Sequence, residues 1–168
     1  MTILGIDPGV TGAIAHFGNG KLYDVRDIPF IKGGAPKEKK RIDLLGLREY
    51  FLMFAGDLNI TVYLEKAQAM PWSMHKRNQG VASTFAYGKT FGLIIGVLAG
   101  LGIFNVKLVV PAKWKRHLHL LGNGLPKTAD LERARKLYPQ APLNLQKHHN
   151  RADAILIGHY GCMMEGVL

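Results

Sequence analysis

Three carboxylates stand where the sequence predicts that a strand ends or a helix begins. Asp7 follows a short apolar run and precedes a Pro-Gly turn, Glu65 follows a second apolar run, and Asp153 lies in the first turn of the predicted last helix. Three converging carboxylates would repel one another unless a divalent cation lay between them, and hard oxygen ligands select magnesium or manganese over zinc. Two such ions, ~4 Å apart, would stabilise both the attacking and the leaving oxygen of an in-line phosphodiester displacement.

Each of these carboxylates also has a structural interpretation. Asp7 could cap the turn that follows it, because Asp side chains commonly bond to nearby backbone in turns. Glu65 could be a solvated strand end. Asn150 and Asp153 resemble a capping box, which would make both residues part of a helix start. One carboxylate alone leaves the choice open, so the chemical hypothesis depends on the ordered set of three.

The chain has the length and composition of one globular domain, residues 1–168. Its 168 residues, of which 48% are hydrophobic and 20% charged, are enough to bury a hydrophobic core. The single cysteine, Cys162, excludes a disulfide framework and a Cys-based zinc site, and it fits a reducing, cytoplasmic setting. The sequence starts directly with an apolar run, without a secretory leader, and its most apolar window, residues 91–104, is too short to span a bilayer. We therefore expect a cytoplasmic protein with no membrane partner.

The net charge is strongly basic, +10 for a chain with 12 acidic residues. A basic excess of this size usually indicates a polyanionic partner, and nucleic acid is the first candidate. Any one basic cluster could be a solvated face, but five clusters favour contact with phosphates. The clusters are Lys32, Lys37, Lys39, Lys40 and Arg41; His75, Lys76 and Arg77; Lys113, Lys115 and Arg116; Arg133, Arg135 and Lys136; and Lys147 and Arg151.

The elements that must position the carboxylates begin with three strands and then alternate in type. The predicted order is strands over 2–7, 13–15 and 21–28, a helix over 44–55 capped by Asp43, a strand over 60–64, a helix over 80–102, a strand over 106–110, a short helix from 111, and helices over 127–138 and 151–164. This order predicts an α/β fold with a mixed sheet and helices on both faces.

Two connections and one helix have unusual compositions. Residues 29–41 lack periodicity and carry two glycines, two prolines and five basic residues, which is typical of a mobile basic loop. Residues 66–79 follow Glu65 and carry aromatic and basic residues, as ligand-contacting surface loops do. The helix over 80–102 has a glycine at every fourth position, and this bare stripe predicts tight packing against another backbone. These glycines are Gly88, Gly92, Gly96 and Gly100.

Four segments together resemble the RuvC-type Holliday-junction resolvases of the ribonuclease H-like superfamily, in a phage or prophage form. They are Gly5-Ile6-Asp7-Pro8-Gly9, Tyr63-Leu64-Glu65, the glycine-spaced helix, and Arg151-Ala152-Asp153-Ala154. The opening motif alone also resembles sugar kinases and chaperones, but the ordered set, which spans nearly the whole chain, is more specific. The resemblance implies a five-stranded ribonuclease H-like sheet, a homodimer, and magnesium-dependent symmetric nicking of four-way DNA junctions. Its metal-binding carboxylates correspond to Asp7, Glu65 and Asp153.

Two positions depart from the family pattern. Three residues before its last carboxylate the family has Asp or His, whereas this chain has Asn150, which offers a carbonyl oxygen but cannot take a proton. His149 could lie on the same helical face as Asp153 and supply that function, or it could be a surface residue. The family's aromatic after the glutamate is Gln68 here. Trp72 is then the candidate to stack on an unpaired base at the junction centre, and packing on the protein's own core is the alternative.

The sequence therefore predicts a structure-specific DNA endonuclease that nicks four-way junctions with two Mg²⁺ ions, for which Mn²⁺ could substitute, in a bacterium or a phage-infected host cell. Its expected metal ligands are Asp7, Glu65, Asp153 and Asn150, and its further candidate catalytic residues are His149 and Lys113. Its expected DNA contacts are Trp72, Lys76, Arg77, Lys113, Lys115 and Lys127. The alternative is a non-catalytic or weakly catalytic branched-DNA-binding protein of the same fold. A sugar-kinase-like ATP binder would need two such domains and about twice this length.

Overall fold

The structure, a computed structural model, describes residues 1–9, 11–35, 38–66, 81–122 and 124–168, and at positions 35, 38, 39 and 81–83 it describes the backbone alone. The strands are β1 (Thr2–Asp7), β2 (Ala13–Gly18), β3 (Lys21–Asp27), β4 (Phe30–Ala35), β5 (Glu38–Ile42), β6 (Ile60–Glu65) and β7 (Val106–Val109). The helices are α1 (Leu44–Leu52), α2 (Val81–Gly100), α3 (Pro111–His117), α4 (Ala129–Leu137) and α5 (His149–Met164). One turn of 3-10 helix, Gln146–His148, leads into α5.

Strand β1 is the centre of a five-stranded sheet with the order β3-β2-β1-β6-β7. Strand β2 is antiparallel to β1 and β3, whereas β6 runs parallel to β1 and β7 runs parallel to β6. The predicted five-stranded mixed sheet is therefore confirmed. The carboxyl ends of β1, β3, β6 and β7 and the start of β2 all lie at one edge of the sheet, which we call the upper edge.

Helices cover both faces of this sheet, as predicted. Side chains alternate along β1, so that Ile3 joins the apolar cluster under α3, α4 and α5, whereas Leu4 and Ile6 join the cluster under α1 and α2. All three are at most 1% exposed, because β1 has a strand on each side and helices above and below. In the described part of the chain, none of the helices combines the length and apolar character needed to cross a membrane.

Helix α5 lies directly on the backbone of β1. A Cβ added at Gly5 would overlap the Ala154 carbonyl oxygen and the Gly158 backbone. A Cβ at Gly158 would likewise overlap the ring of Phe17 on β2, and one at Gly161 would overlap the ring of Tyr63 on β6. Because glycine at these points removes the side-chain layer, the helix packs closer to the sheet than an ordinary helix could.

The glycine-striped helix α2 differs from its prediction of tight packing. A Cβ added at any of its four spaced glycines would have no neighbour within 4 Å among the described residues. Helix α2 is held to the protein through its other face, where Ile94 and Leu98 are fully buried. A glycine period identifies one face of a helix but does not say what covers it, and the close glycine packing of this fold occurs at α5.

The segment over 29–41 was predicted as a mobile basic loop, and this prediction is wrong for its described residues. Strands β4 and β5 form an antiparallel hairpin that is a two-stranded sheet of its own. Gly33-Gly34 and the second proline hide the alternation that would indicate strands. At the base of the hairpin, the Asp43 N–H donates to the Pro29 carbonyl at 3.0 Å.

Both ends of the chain meet at the turn between β2 and β3, at the edge of the sheet opposite the upper edge. The Met1 ammonium donates to Asn19 Oδ1 at 2.7 Å, and the Asn19 N–H donates to the Met1 carbonyl at 3.0 Å. Val167 lies so close to Gly20, which has a φ of +77°, that a Cβ at Gly20 would overlap the Val167 carbonyl oxygen.

Candidate active site

Asp7 and Glu65 are the last residues of two neighbouring parallel strands, β1 and β6. Ile6 pairs with Leu64, so Asp7 and Glu65, the next residues, lie side by side at the upper edge. Their backbones are about 5 Å apart, the spacing of neighbouring strands. Since side chains two residues apart share a face, Asp7 points to the same side as Ile3, and Glu65 to the same side as Tyr63. Ile3 and Tyr63 both lie under α5, so the two carboxyl groups project towards that helix.

Asp153 lies in the second turn of α5, next to Ala154, whose carbonyl touches Gly5 of β1. Its carboxyl group interacts electrostatically with Asp7 and Glu65. Burial, and secondarily the neighbouring charges, raise the pKa of Asp153 to about 8 and that of Asp7 to about 7. Burial also raises the pKa of Glu65. The structure therefore brings all three predicted carboxyl groups into one partly buried site, where burial and their mutual repulsion oppose ionisation.

Lys115 lies against these carboxyl groups. Its Nζ is 2.5 Å from Asp130 Oδ2 of α4, and its charge lowers the pKa values of Asp7, Glu65 and Asp153 against the effect of burial. Burial by itself lowers the pKa of Lys115. The bond to Asp130 and the nearby carboxylates outweigh this effect, so the pKa of Lys115 is raised. The half-buried Lys115 thus partly offsets the charge of four carboxyl groups.

Trp114 orients Glu65. Its indole Nε1 donates to Glu65 Oε2 at 2.9 Å, and the ring is fully buried. Helix α3 can place it there because α3 begins directly after β7, the strand paired with β6, and because Pro111 at its first turn suits a helix start. The sequence indicated that Trp114 lies on a short helix but gave no sign of its contact with Glu65, and the same is true of the bond between Asp130 and Lys115.

The start of α5 is tied to the upper edge by two neighbouring residues. The Asn150 side-chain amide donates to the Thr11 carbonyl in the turn after β1. Arg151 forms a bidentate pair with Asp27 at the end of β3, with Nε–Oδ1 and Nη2–Oδ2 distances of 2.6 and 2.9 Å. These bonds hold the first turn of α5 beside the strand ends.

The capping-box alternative for Asn150 and Asp153 is wrong. Helix α5 begins at His149, so Asn150 lies inside the helix and cannot be its N-cap. The N-cap of α5 is His148, and the His148 side chain makes no capping hydrogen bond. The expected metal-binding role of Asn150 stays a prediction, as does the catalytic role of His149. His149 is half-buried and forms no side-chain hydrogen bond or ion pair with another described residue.

The predicted lysines occupy different surroundings. Lys113 is exposed on α3, about 200° around the helix from Lys115, and Lys127 is exposed just before α4. Their expected roles stay predictions, and Lys115 is the lysine that the structure places among the carboxyl groups. Trp72, Lys76 and Arg77 lie outside the described residues, so the expected contacts of that segment with DNA stay predictions too.

The donor chemistry of the site fits a hard divalent cation. Three oxygen donors lie on fixed backbone positions, and Asp153 Oδ1 is buried without a hydrogen-bond partner among the described residues. As the side chains stand, no group of three or more His, Cys, Asp or Glu residues in the described ranges is arranged as a metal site. The fit is therefore one of donor type and charge rather than of a preformed cage.

The sheet order, with α5 packed on its central strand, defines a ribonuclease H-like fold. Solved structures of RuvC from Thermus thermophilus have this fold. One, a RuvC in complex with Holliday junction substrate, matches with a TM-score of 0.64 and 16% identity over 98% of this chain and 94% of that chain. A second T. thermophilus RuvC structure matches with a TM-score of 0.55 and 18% identity over 99% and 98%.

No protein-family model matches the chain, and no curated protein matches it in sequence. The two structural matches nevertheless confirm, at the level of the fold and over nearly the whole chain, the resemblance predicted from the sequence. The expected phage or prophage origin stays a prediction.

Proposed function

We propose that the protein is a metal-dependent endonuclease that nicks four-way DNA junctions symmetrically. The observation that supports this most directly is the convergence of Asp7, Glu65 and Asp153 at the upper edge, where burial raises the pKa values of all three carboxyl groups and a bound cation would favour their charged forms. The basic net charge of +10 is suited to a phosphate-rich partner. The matching fold of a RuvC whose structure contains a Holliday junction supports branched DNA as the substrate class.

In this proposal Asp7, Glu65 and Asp153 hold two Mg²⁺ or Mn²⁺ ions. When bound, such ions stabilise the attacking and the leaving oxygen of a phosphodiester displacement. Trp114 keeps the Glu65 carboxylate turned into the site, and Lys115 adds a positive charge beside it that can contact a phosphate oxygen. The buried surroundings strengthen each of these electrostatic interactions.

Cleavage of a labelled four-way junction, compared with a linear duplex and an RNA–DNA hybrid, tests the proposal. We expect symmetric nicks in the junction with Mg²⁺ or Mn²⁺ and none with chelator. Asp7→Asn should abolish cleavage yet leave junction binding near normal, because phosphate contacts supply most of the affinity. Retained cutting by this variant would disprove the assignment.

A branched-DNA-binding protein that cuts poorly is the second candidate, and the environment of Asn150 favours it. The amide of Asn150 is engaged by the Thr11 carbonyl, and the side chain cannot act as a base. Junction binding without nicks at any metal concentration, together with a folded protein, would support this candidate.

A further inference from the structure

The hairpin of β4 and β5 starts at the same edge of the sheet as the candidate active site. Asp27, at the end of β3, pairs with Ala13, and Ala13 pairs with Asp7. The Ile28 N–H then donates to the carbonyl of Gly12, in the turn after Asp7, at 2.8 Å. The base of the hairpin is thus two strand spacings, about 10 Å, from Asp7.

The hairpin is a separate ribbon rather than a part of the core. Its strands pair with each other and with no strand of the five-stranded sheet. Ile42 is buried at its base, whereas Phe30 and Ile31 are 44% and 40% exposed. With six residues in β4, the ribbon is about 20 Å long.

Positive charges are concentrated on the described side chains of this ribbon. Lys32 and Lys40 are exposed and pair directly across the two strands, and Arg41 is exposed on the opposite face. None of the three forms an ion pair with another described residue. Like charges in directly opposed positions repel each other and destabilise a hairpin. A bound anion between Lys32 and Lys40 would remove this cost.

The ring of Phe30 fixes the position of the Lys40 ammonium group. Lys40 Nζ is 3.8 Å from the centre of the Phe30 ring. This cation–π contact holds the Lys40 side chain along the ribbon, on the face that it shares with Lys32. With Lys32 on the same face, the ribbon presents two ammonium groups side by side, which suits the repeated phosphates of a DNA backbone better than an isolated anion.

We propose that the hairpin of β4 and β5 is a second DNA-contacting element, which binds the sugar-phosphate backbone of one duplex arm of the branched substrate. This inference rests on the proposed function, because the duplex arm is positioned by the junction at the upper edge. The hairpin adds affinity and orients the arm, and the carboxyl site performs the chemistry.

The first test separates binding from cutting. Lys32→Ala, Lys40→Ala and the double variant are compared with Lys21→Ala, which removes one exposed lysine at the opposite edge of the sheet. We expect the double variant to bind the junction roughly tenfold more weakly at 0.1 M salt. The slope of log affinity against log salt should fall by about 0.9 for each lost phosphate contact. The cleavage rate at saturating DNA should equal that of wild type, and Lys21→Ala should change neither property.

The outcomes are distinct. If wild type binds and cuts the junction but the hairpin variants have the affinity and salt slope of Lys21→Ala, the inference is wrong and the proposed function stands. A lower cleavage rate at saturating DNA with unchanged affinity also overturns the inference. If wild type binds no DNA at all, the proposed function fails, and the inference fails with it.

The second test locates the hairpin on the DNA. A Cβ added at Gly34 would meet no described atom within 4 Å, and Cys162 is buried, so an iron-EDTA reagent can be attached at position 34 of a Gly34→Cys variant. The hairpin starts about 10 Å from Asp7 and is about 20 Å long, so its tip lies at most ~30 Å from the site, which is about nine base pairs of duplex. We therefore expect hydroxyl-radical cuts on one duplex arm, within about nine base pairs of the nicked phosphate. Cuts confined to the branch point, or no cuts, would overturn the inference.

Discussion

Burying a carboxyl oxygen without a partner costs free energy, and the candidate site has one such oxygen among the described residues, Asp153 Oδ1, near the two partly buried carboxyl groups of Asp7 and Glu65. The fold tolerates this cost because α5 holds Asp153 on the same backbone that packs onto β1. Residues that point at the carboxyl groups, namely Trp114 and Lys115, then decide how each group is turned and how much of its charge is offset.

Trp114→Phe should impair catalysis while the fold is retained. The variant keeps most of the buried ring but removes the hydrogen bond to the Glu65 carboxylate, and a bond to a charged group contributes about 1.5–3 kcal/mol. We expect the cleavage rate at saturating junction to fall about tenfold or more.

An independent readout of the same contact is fluorescence. The chain has two tryptophans, so Trp72→Phe isolates Trp114. Its emission should change when Mg²⁺ is added, and the change should disappear in Glu65→Gln. An emission that does not respond to Mg²⁺ would contradict the assignment of Glu65 as a metal ligand next to Trp114.

The stability of the metal-free protein should fall as the pH rises from about 4 to 8. Burial raises the pKa of Asp7 from 3.8 to about 7, so the protonated carboxyl is favoured in the folded state. A group with a raised folded-state pKa contributes stability that is fully present below its unfolded pKa and is lost as the pH rises through the folded pKa. Asp7→Asn should remove this loss, at most about 4 kcal/mol.

Denaturant unfolding of both proteins in chelator, at pH 5 and at pH 8, measures this effect. Asp7→Asn should be the more stable protein at pH 8, and the two should approach each other at pH 5. Equal pH dependence in the two proteins would show that Asp7 is not buried as described.

Lys115→Ala should reduce the cleavage rate at saturating DNA more than Lys113→Ala does, by about tenfold. Lys115 lies among the carboxyl groups and is bound to Asp130, whereas Lys113 is exposed on the other side of the same helix. The two substitutions remove the same charge two positions apart, so each controls for the other. A larger effect of Lys113→Ala would restore the role that the sequence assigned to it.

At the scale of elements, the distance between α5 and β1 determines whether the carboxyl groups meet. Gly5 sets this distance, because any side chain there would collide with the backbone of Ala154 and Gly158. Gly5→Ala should destabilise the protein by about 3 kcal/mol and move Asp153 away from Asp7, with loss of cleavage. Gly92→Ala on α2 is the matched control, because an added Cβ there meets no described atom within 4 Å and alanine should stabilise the helix by ~1 kcal/mol.

Thermal and denaturant unfolding of both glycine variants provide the measurement. Opposite signs are expected for the two substitutions. A Gly5→Ala protein as stable and as active as wild type would mean that α5 does not depend on this close approach.

The sequence predicted those parts of the site that depend on local pattern. Asp7 and Glu65 each follow an apolar run, so their places at strand ends could be predicted from neighbours in the chain. The contacts of Trp114 with Glu65 and of Lys115 with Asp130 join segments 49 and 15 residues apart, and no local pattern reports them. The hairpin was missed because Gly33-Gly34 in β4 and the run of charged residues in β5 hide the alternation of strands, and because the two strands pair only with each other.

At the scale of the whole molecule, we expect a homodimer. A junction with two-fold symmetry needs two matched nicks, which a closed two-fold pair of identical sites supplies. The glycine stripe of α2 is a candidate surface, since it is open in the described structure and lies near Phe85, which is 74% exposed. Light scattering at micromolar concentration should give twice 18.6 kDa.

Substitution on the stripe tests the surface. Gly92→Gln should shift the mass towards 18.6 kDa, whereas Ala112→Gln, on the exposed side of α3, should not. A wild-type mass of 18.6 kDa without DNA, together with one protein chain per junction in the complex, would contradict the homodimer. A dimer that survives Gly92→Gln would place its surface elsewhere.

The meeting of both chain ends at the turn between β2 and β3 has a practical consequence for protein engineering. Met1 and Val167 both contact this turn, and the six residues of β2 separate it from the upper edge by about 20 Å. An affinity tag, a fluorescent protein or a surface tether attached at either end would therefore leave DNA free to reach Asp7. The same closeness allows the two ends to be joined by a short glycine linker, so that new ends can be opened in a loop of choice.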